Sequence, residues 1–204
     1  MVVSPPPIEG VVLAAGRSVR MGSPKPLLRV GEETFLERAV RCLREGGCRS
    51  VAAVVSASDV AVLAHAREIG AEVIENALPF SEQIDSVRLA LARLPDDTAA
   101  AIVLPVDFPL VRAATVRAVA DAFRRGDGAL VVPTHGDVAG HPVLIARGEF
   151  GAVMGEVLPE GLRSLLDARA GLLVEVPVED EAIHTDIDTP EQYDLLRRRG
   201  APEP

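Results

Sequence analysis

Tryptophan is absent from this 204-residue chain, and one tyrosine and five phenylalanines are its only other aromatics, which excludes a core built on aromatic packing. The apolar volume has to come from Val, Leu, Ile and Ala, a palette that suits buried parallel strands covered by Ala-rich helices. Cysteine is nearly absent too. Cys42 and Cys48 stand alone, spaced neither as a redox CxxC pair nor as the paired ligands of a zinc site, which fits reduced thiols rather than a disulfide framework. No stretch approaches the ~18 apolar residues of a membrane helix, and the N-terminal Met1 to Pro7 has no cationic stretch leading into an apolar one. A soluble, cytoplasmic protein is expected. Positive charge is scarce as well: 21 Lys and Arg against 30 Asp and Glu give a net charge of -9, which excludes a general affinity for nucleic acid or an anionic membrane. A small anionic ligand stays compatible if cations gather locally at its pocket.

The length supports one domain over residues 1–204, with 1–7 and 199–204 as flexible tails. Short β-branched runs alternate with helical patterns. Gly10 to Ala14, Val51 to Val55, Glu72 to Glu75, Ala100 to Val106, Ala129 to Pro133 and Pro142 to Ala146 read as strands. The helix opening at Thr34 carries a capping-box pair, Thr34 and Glu37, and puts Phe35, Leu36, Ala39, Val40 and Leu43 on one stripe before Gly46 and Gly47 stop it. Comparable helical patterns cover Ser58 to Ile69, Ser81 to Leu94 and Arg112 to Arg125. After Pro133 the rhythm breaks into a turn-rich stretch holding His135 and His141, read as loop histidines, and less regular elements. A last helix is then announced by Thr189, Pro190 and Gln192 as N-cap, N1 and N3. The pattern predicts an α/β fold, a Rossmann-like three-layer sandwich whose mostly parallel sheet carries helices on both faces. In such sheets ligands bind outside the carboxyl ends of the strands.

The chemistry concentrates just after the first strand, in Leu13-Ala14-Ala15-Gly16-Arg17-Ser18-Val19-Arg20-Met21-Gly22-Ser23-Pro24-Lys25-Pro26-Leu27-Leu28. Small residues from Ala14 to Gly16 let the backbone approach a ligand, amides there can face phosphate oxygens, and Arg17, Arg20 and Lys25 bring positive charge into an acidic protein. The spacing is neither GxGxxG nor GxxxxGK[ST]. Read alone, the segment is equally an ordinary glycine-containing turn with solvated cations.

The string Leu-Ala-Ala-Gly-x-Ser-x-Arg-Met-Gly-x-x-Lys-x-Leu-Leu resembles the signature of the molybdenum cofactor nucleotidyltransferases, with the cytidylyltransferase branch the nearest. The likeness continues in order through Pro105-Val106-Asp107-Phe108-Pro109, Gly140-His141-Pro142-Val143 and Asp186-Ile187-Asp188-Thr189-Pro190-Glu191, nearly the whole chain. The resemblance implies that the Leu13, Ala14, Ala15 and Gly16 backbone holds the base and ribose side, with Arg17 and Ser86 also at the nucleotide. It implies that Arg20 and Lys25 hold the triphosphate, Lys25 also stabilising the transition state. Asp107 and Asp188 would bind Mg²⁺ together, as a hard cation prefers oxygen ligands. Each has a plainer reading: Asp107 as the start of a turn, Asp188 as a carboxylate at a helix N-terminus, Ser86 as a solvent-facing helical serine.

The activity so implied is transfer of CMP from CTP to molybdopterin with release of pyrophosphate, the product passing to a molybdoenzyme. Ala14-Ala15-Gly16 favours CTP, the guanylyl branch tending to Ala-Gly-Gly. Two departures stand out. Gln83 and Asp85 replace more usual small residues, and Pro159 to Leu166 keeps only Gly161, Arg163 and the leucines of the family's Gly-Asp-x-Gly-Ala-Arg segment, expected near the acceptor. The alternatives are GTP or another phosphorylated acceptor on the same chemistry, and a non-catalytic cofactor-binding or delivery protein.

Overall fold

The computed structural model describes residues 5–16, 21–78 and 81–199, so Arg17 and Arg20 of the first loop lie outside the described residues, as do 1–4 and 200–204 of the expected tails. Strand β1 (Ile8–Ala14) is buried at every position. A small hairpin of β2 (Arg29–Val30) and β3 (Glu33–Thr34) follows. Then comes the alternation the sequence predicts: α1 (Phe35–Glu45), β4 (Val51–Ser56), α2 (Val60–Glu68), β5 (Glu72–Asn76), α3 (Gln83–Leu91), β6 (Ala100–Pro105), α4 (Ala113–Arg124) and β7 (Leu130–His135). His135 therefore ends a strand rather than sitting in a loop. Beyond it lie β8 (Val138–Ala139), β9 (Val143–Ala146), α5 (Phe150–Gly155), α6 (Leu162–Ala168), β10 (Leu173–Pro177) and α7 (Pro190–Arg199).

Along the sheet the order is β10-β7-β9-β6-β1-β4-β5, with β8 paired to β7 outside this path. Only β9 opposes the rest of the path: it pairs antiparallel with both β6 and β7, whereas β1–β4, β1–β6, β4–β5 and β7–β10 are parallel. Connection length explains this. A parallel return needs a crossover of a dozen or more residues, and the chain between His135 and Val143 is too short for one.

Strand side chains alternate between faces, and the core divides accordingly. Ile8, Val12, Val51, Ala53, Val55, Ile102 and Leu104 pack on one face with residues of α1, α2, α4 and α7. Val11, Leu13, Ala52, Val54, Ala101 and Val103 pack on the other with α3, α5 and α6. This is the three-layer sandwich. The Thr34 hydroxyl accepts from the Glu37 amide while the Glu37 carboxylate accepts from the Thr34 amide, so the capping box forms and fixes where α1 starts. Cys42 and Cys48 are free and buried, and burial pushes both thiols up to about 12. Among the described residues no helix is long and apolar enough to cross a membrane.

The order of connections positions the site. From β1 the chain moves outward to β4 and β5, then α3 carries it back so that β6 lands on the other side of β1. The switch point is the β1/β6 boundary, where diverging connections leave a crevice beyond the strands' carboxyl ends.

Candidate active site

A cavity of about 430 Å³ occupies that crevice. Leu13, Ala15 and Gly16 leave β1 along one wall, and Pro105, Val106 and Asp107 leave β6 along another. Val106 N donates to Leu13 O at 3.1 Å, which keeps the two chains together one step past the strand pairing. The N-terminal part of α3 supplies Gln83 and Ser86, Ser81 lies just before it, and Lys25 and Asp188 also line the cavity. Gly16 does not have a left-handed φ, and a Cβ built on it meets no atom within 4 Å. Neither backbone strain nor the packing of the described residues calls for glycine there, and the room it leaves is the cavity's.

Lys25 begins a 3-10 turn between Pro24 and Pro26, closed by Leu27 N to Pro24 O at 3.0 Å and Leu28 N to Lys25 O at 3.0 Å. Leu27 and Leu28 pack against the core and anchor the turn. The Lys25 ammonium reaches inward, forming an ion pair with Asp107 Oδ2 at 3.6 Å and a hydrogen bond to Asp188 Oδ1. Asp107 sits in the turn after β6, where Phe108 N donates to Pro105 O at 3.2 Å and Arg38 Nε reaches over from α1 to Pro109 O at 2.9 Å. Both the turn and the inward carboxylate are therefore present at Asp107. Among the described residues the buried Asp107 Oδ1 has no hydrogen-bond partner. Burial raises the Asp107 carboxyl, the Lys25 charge opposes that, and the nearby Asp188 and Asp186 add to the rise.

Asp188 is delivered from 81 residues further along by two devices. Ile187 N donates to Asp107 O at 2.8 Å, which joins the segment to the β6 turn. Gln192 Oε1 accepts from Asp188 N at 2.7 Å and Thr189 N at 2.8 Å, and the Thr189 hydroxyl accepts from Gln192 N at 3.3 Å, so the cap read in the sequence holds Asp188 at the head of α7. Tyr193, one turn on, joins α7 to the Lys25 segment. Its hydroxyl accepts from Arg29 N at 3.1 Å and donates to Arg29 O at 3.0 Å, and its ring meets Phe35 edge-on at 5.9 Å. Tyr193→Phe removes both bonds and keeps the ring. Each bond contributes about 1 kcal/mol, so the variant is expected to lose a few degrees in melting temperature. If the clamp holds Lys25 against Asp188, turnover should fall by about tenfold or more, as small misplacements in a site do. Unchanged turnover would show the clamp to be structural only.

Hard oxygen ligands facing the Lys25 charge, with one carboxylate oxygen buried and without a hydrogen-bond partner among the described residues, fit a divalent cation such as Mg²⁺ that takes few protein carboxylates and completes its shell with phosphate and water. Among the described residues no group of three or more His, Cys, Asp or Glu side chains forms a denser metal cluster. Leu13, Ala15, Gly16, Lys25, Ser86, Asp107 and Asp188 thus line one cavity, and Ala14 is buried at the end of β1 beside them. Ser86 corrects the plain reading: it is 4% exposed and accepts a hydrogen bond from Asn76 Nδ2 at 3.1 Å, not a solvent-facing helical serine.

Two further cavities adjoin. One of about 440 Å³ shares Leu13, Gln83 and Pro105 with the first and is lined by Phe108, Gly140, His141, Glu160, Arg163 and Asp186, which brings in the segment expected near an acceptor. His141 packs on Phe108 with ring centroids 4.5 Å apart, and its buried Nδ1 has no partner among the described residues. Burial lowers its pKa to about 4, so the ring is neutral near pH 7. Gly140 is needed for this approach, since a Cβ on it would lie 2.4 Å from Ile183 O. The other cavity, of about 820 Å³, shares Ala15, Gly16 and Ser81 with the first and lies beyond the ends of β4 and β5. Asn76, which lines it, was not singled out from the sequence. A lone polar residue closing a strand reads as turn chemistry there.

The chain matches the sequence family described as MobA-like NTP transferase domain over residues 10–173. It is 31% identical over 201 residues to a probable molybdenum cofactor guanylyltransferase of Opitutus terrae, covering 95% of this chain and 96% of that one. It is also 31% identical over 199 residues to the nicotine blue oxidoreductase of Paenarthrobacter nicotinovorans, covering 94% and 97%. Among solved structures, Rv0371c of Mycobacterium tuberculosis H37Rv superposes with a TM-score of 0.82 at 28% identity, covering 96% of this chain and 100% of that one. A manganese complex of that protein gives a TM-score of 0.77 at 27% identity, with the same coverage. With a nucleotide-sized crevice at the switch point and a lysine between two carboxylates, these matches lead to one conclusion: the chain belongs to the MobA-like NTP transferase family and is a nucleotidyltransferase.

Proposed function

We propose that the chain transfers CMP from CTP to a phosphorylated molybdopterin acceptor in the presence of Mg²⁺ and releases pyrophosphate. The observation that carries this reading is Lys25 held between Asp107 and Asp188 at the mouth of the β1/β6 crevice. An acceptor phosphate oxygen attacks the α-phosphorus, the bond from that phosphorus to the bridging oxygen of the β-phosphate breaks, and pyrophosphate leaves. A phosphate monoester is largely ionised near neutral pH, so no protein nucleophile or general base is needed. The protein positions two anions against each other and supplies charge where negative charge accumulates. Lys25 is the group for that role, Arg20 is assigned the triphosphate with it, and Arg17 is assigned to the nucleotide. Asp107 and Asp188 would hold the divalent ion, and the manganese complex of Rv0371c supports a divalent ion in this family. Bound there, Mg²⁺ would reduce repulsion among the phosphate oxygens.

The backbone of Leu13 to Gly16 takes the nucleoside side, with Ser86 opposite, and the His141 cavity takes the acceptor. The product would pass to a molybdoenzyme. A second donor, GTP, is favoured by the guanylyltransferase relative, as CTP is by Ala14-Ala15-Gly16. The oxidoreductase relative is a reminder that a chain of this similarity can carry another reaction name. Thermal melting with each of the four NTPs and Mg²⁺ or Mn²⁺ separates the donors. A ligand at 100 times its Kd stabilises by about 2.7 kcal/mol, and the true donor should give the largest shift. Pyrophosphate release that requires molybdopterin then tests the reaction. Binding of an NTP without acceptor-dependent release would overturn it.

A further inference from the structure

Asn76 ends β5 at 2% exposure. Its Oδ1 accepts from the backbone N–H of Leu78 at 3.0 Å. A backbone amide only donates, so that contact fixes which way the side-chain amide is turned. The Nδ2 group is left facing two hydroxyls and donates to both, at 3.0 Å to Ser81 Oγ and 3.1 Å to Ser86 Oγ. Both serines line the cavity that contains Lys25 and Asp107, and Ser81 also lines the neighbouring one beyond β4 and β5.

A hydroxyl carries one proton and two lone pairs. Each serine has committed a lone pair to Asn76, and among the described residues neither donates its proton to an acceptor. We propose that Asn76 sets the hydrogen-bond polarity of the nucleoside half of this cavity by holding Ser81 and Ser86 as a pair of donors. The site then selects a ligand that presents acceptors at that end, such as base carbonyl oxygens or unprotonated ring nitrogens. The inference rests on the reading of the cavity as an NTP site. Asn76 is a positioning residue here, acting through the two serines.

Asn76→Asp tests the idea with almost no change of shape. One carboxylate oxygen still accepts from Leu78 N, but the other now accepts both serine protons and withdraws them from the ligand. Binding of CTP, GTP and inorganic tripolyphosphate would be measured by calorimetry in Mg²⁺ buffer, with melting temperature as a check of folding. The better-bound nucleotide should weaken by about tenfold or more, while tripolyphosphate, which has no nucleoside, should change by far less. In a Ser81→Ala/Ser86→Ala background, Asn76→Asp should add no more than about twofold, because the groups it acts through are gone. Equal losses for nucleotide and tripolyphosphate, or a full Asn76→Asp effect in the serine-free background, would overturn the proposal. Should Asn76→Asp fail to fold, the double serine variant decides: it must weaken the nucleotide and spare tripolyphosphate, and undiminished nucleotide binding sinks the idea. If the wild-type chain binds tripolyphosphate but neither nucleotide, the NTP reading itself falls and takes this inference with it.

Discussion

Lys25→Met is expected to lower the rate of acceptor-dependent pyrophosphate release by about 10²–10³-fold, the cost of removing one preorganised electrostatic group from a transition state. Its effect on metal binding should have the opposite sign. The Lys25 ammonium compensates Asp107 and Asp188. A dication arriving between those carboxylates competes with it, and like charges at short range in a partly buried site repel strongly. Lys25→Met removes that competitor, so Mn²⁺ should bind the nucleotide-free variant more tightly than the wild type. Asp107→Asn is the counterpart, since it keeps shape and volume but removes the charge and the unpaired buried carboxylate oxygen. It should weaken Mn²⁺ by about tenfold or more, in line with the loss of a charged ligand. Titrating Mn²⁺ against the three proteins by its paramagnetic resonance signal separates the cases. A Lys25→Met variant that loses metal along with turnover would mean that the lysine supports the ion rather than standing in for its charge.

Several features were legible in the sequence because the physics behind them is local. Caps are one: Thr34 with Glu37, and Thr189 with Gln192, form the hydrogen bonds their spacing promises. The strand-and-helix rhythm is another, since burial on both sides of a parallel sheet leaves aliphatic runs in β1 from Val11 onward, in β4 and in β6. What was not legible depends on contacts between distant segments. The run at β9 reads as a strand, but its reversed direction comes from the short link to β7. β10 was missed because it is a short edge strand whose side chains are half exposed, which dilutes its pattern. The meeting of Lys25 with Asp188, 163 positions apart, follows from no spacing rule. The family resemblance implies only that both belong to one site, and the contact has its physical cause in the Ile187–Asp107 bond and the α7 cap. Asn76 was invisible for a related reason: an asparagine at a strand end is ordinary turn chemistry until its two serine partners arrive from α3 and the segment before it.

Glu9 shows the same limit at the opposite end of the sheet, and its replacement should have the largest effect on stability. A glutamate near the start of an aliphatic strand looks like the last solvated residue before the core, yet it is 0% exposed. Arg49 Nε donates to its Oε1 at 2.6 Å, and Ser50 supplies its amide at 3.0 Å and its hydroxyl at 2.7 Å to Oε2. Arg49 continues to Asp97 through both terminal nitrogens, at 2.6 and 2.8 Å, so one chain of charges joins the amino ends of β1 and β4 to the turn before β6. Breaking a buried pair from one side costs about 3–5 kcal/mol, because the groups left behind lose a partner they cannot replace. Arg49 keeps Asp97 and reaches solvent, so the lower end applies to Glu9→Leu. At about 2–4 °C per kcal/mol for a chain of this length, the melting temperature should fall by about 6–12 °C. The cavity lies at the carboxyl ends of the same strands, so KM for the NTP should stay where it is at temperatures well below the new midpoint. Adding Arg49→Leu to Glu9→Leu should cost at most about 1 kcal/mol more, since Arg49 is then left with an exposed pair to Asp97 alone. A much larger further loss would mean that the Arg49–Asp97 pair, rather than the Glu9 carboxylate, ties these strand ends together.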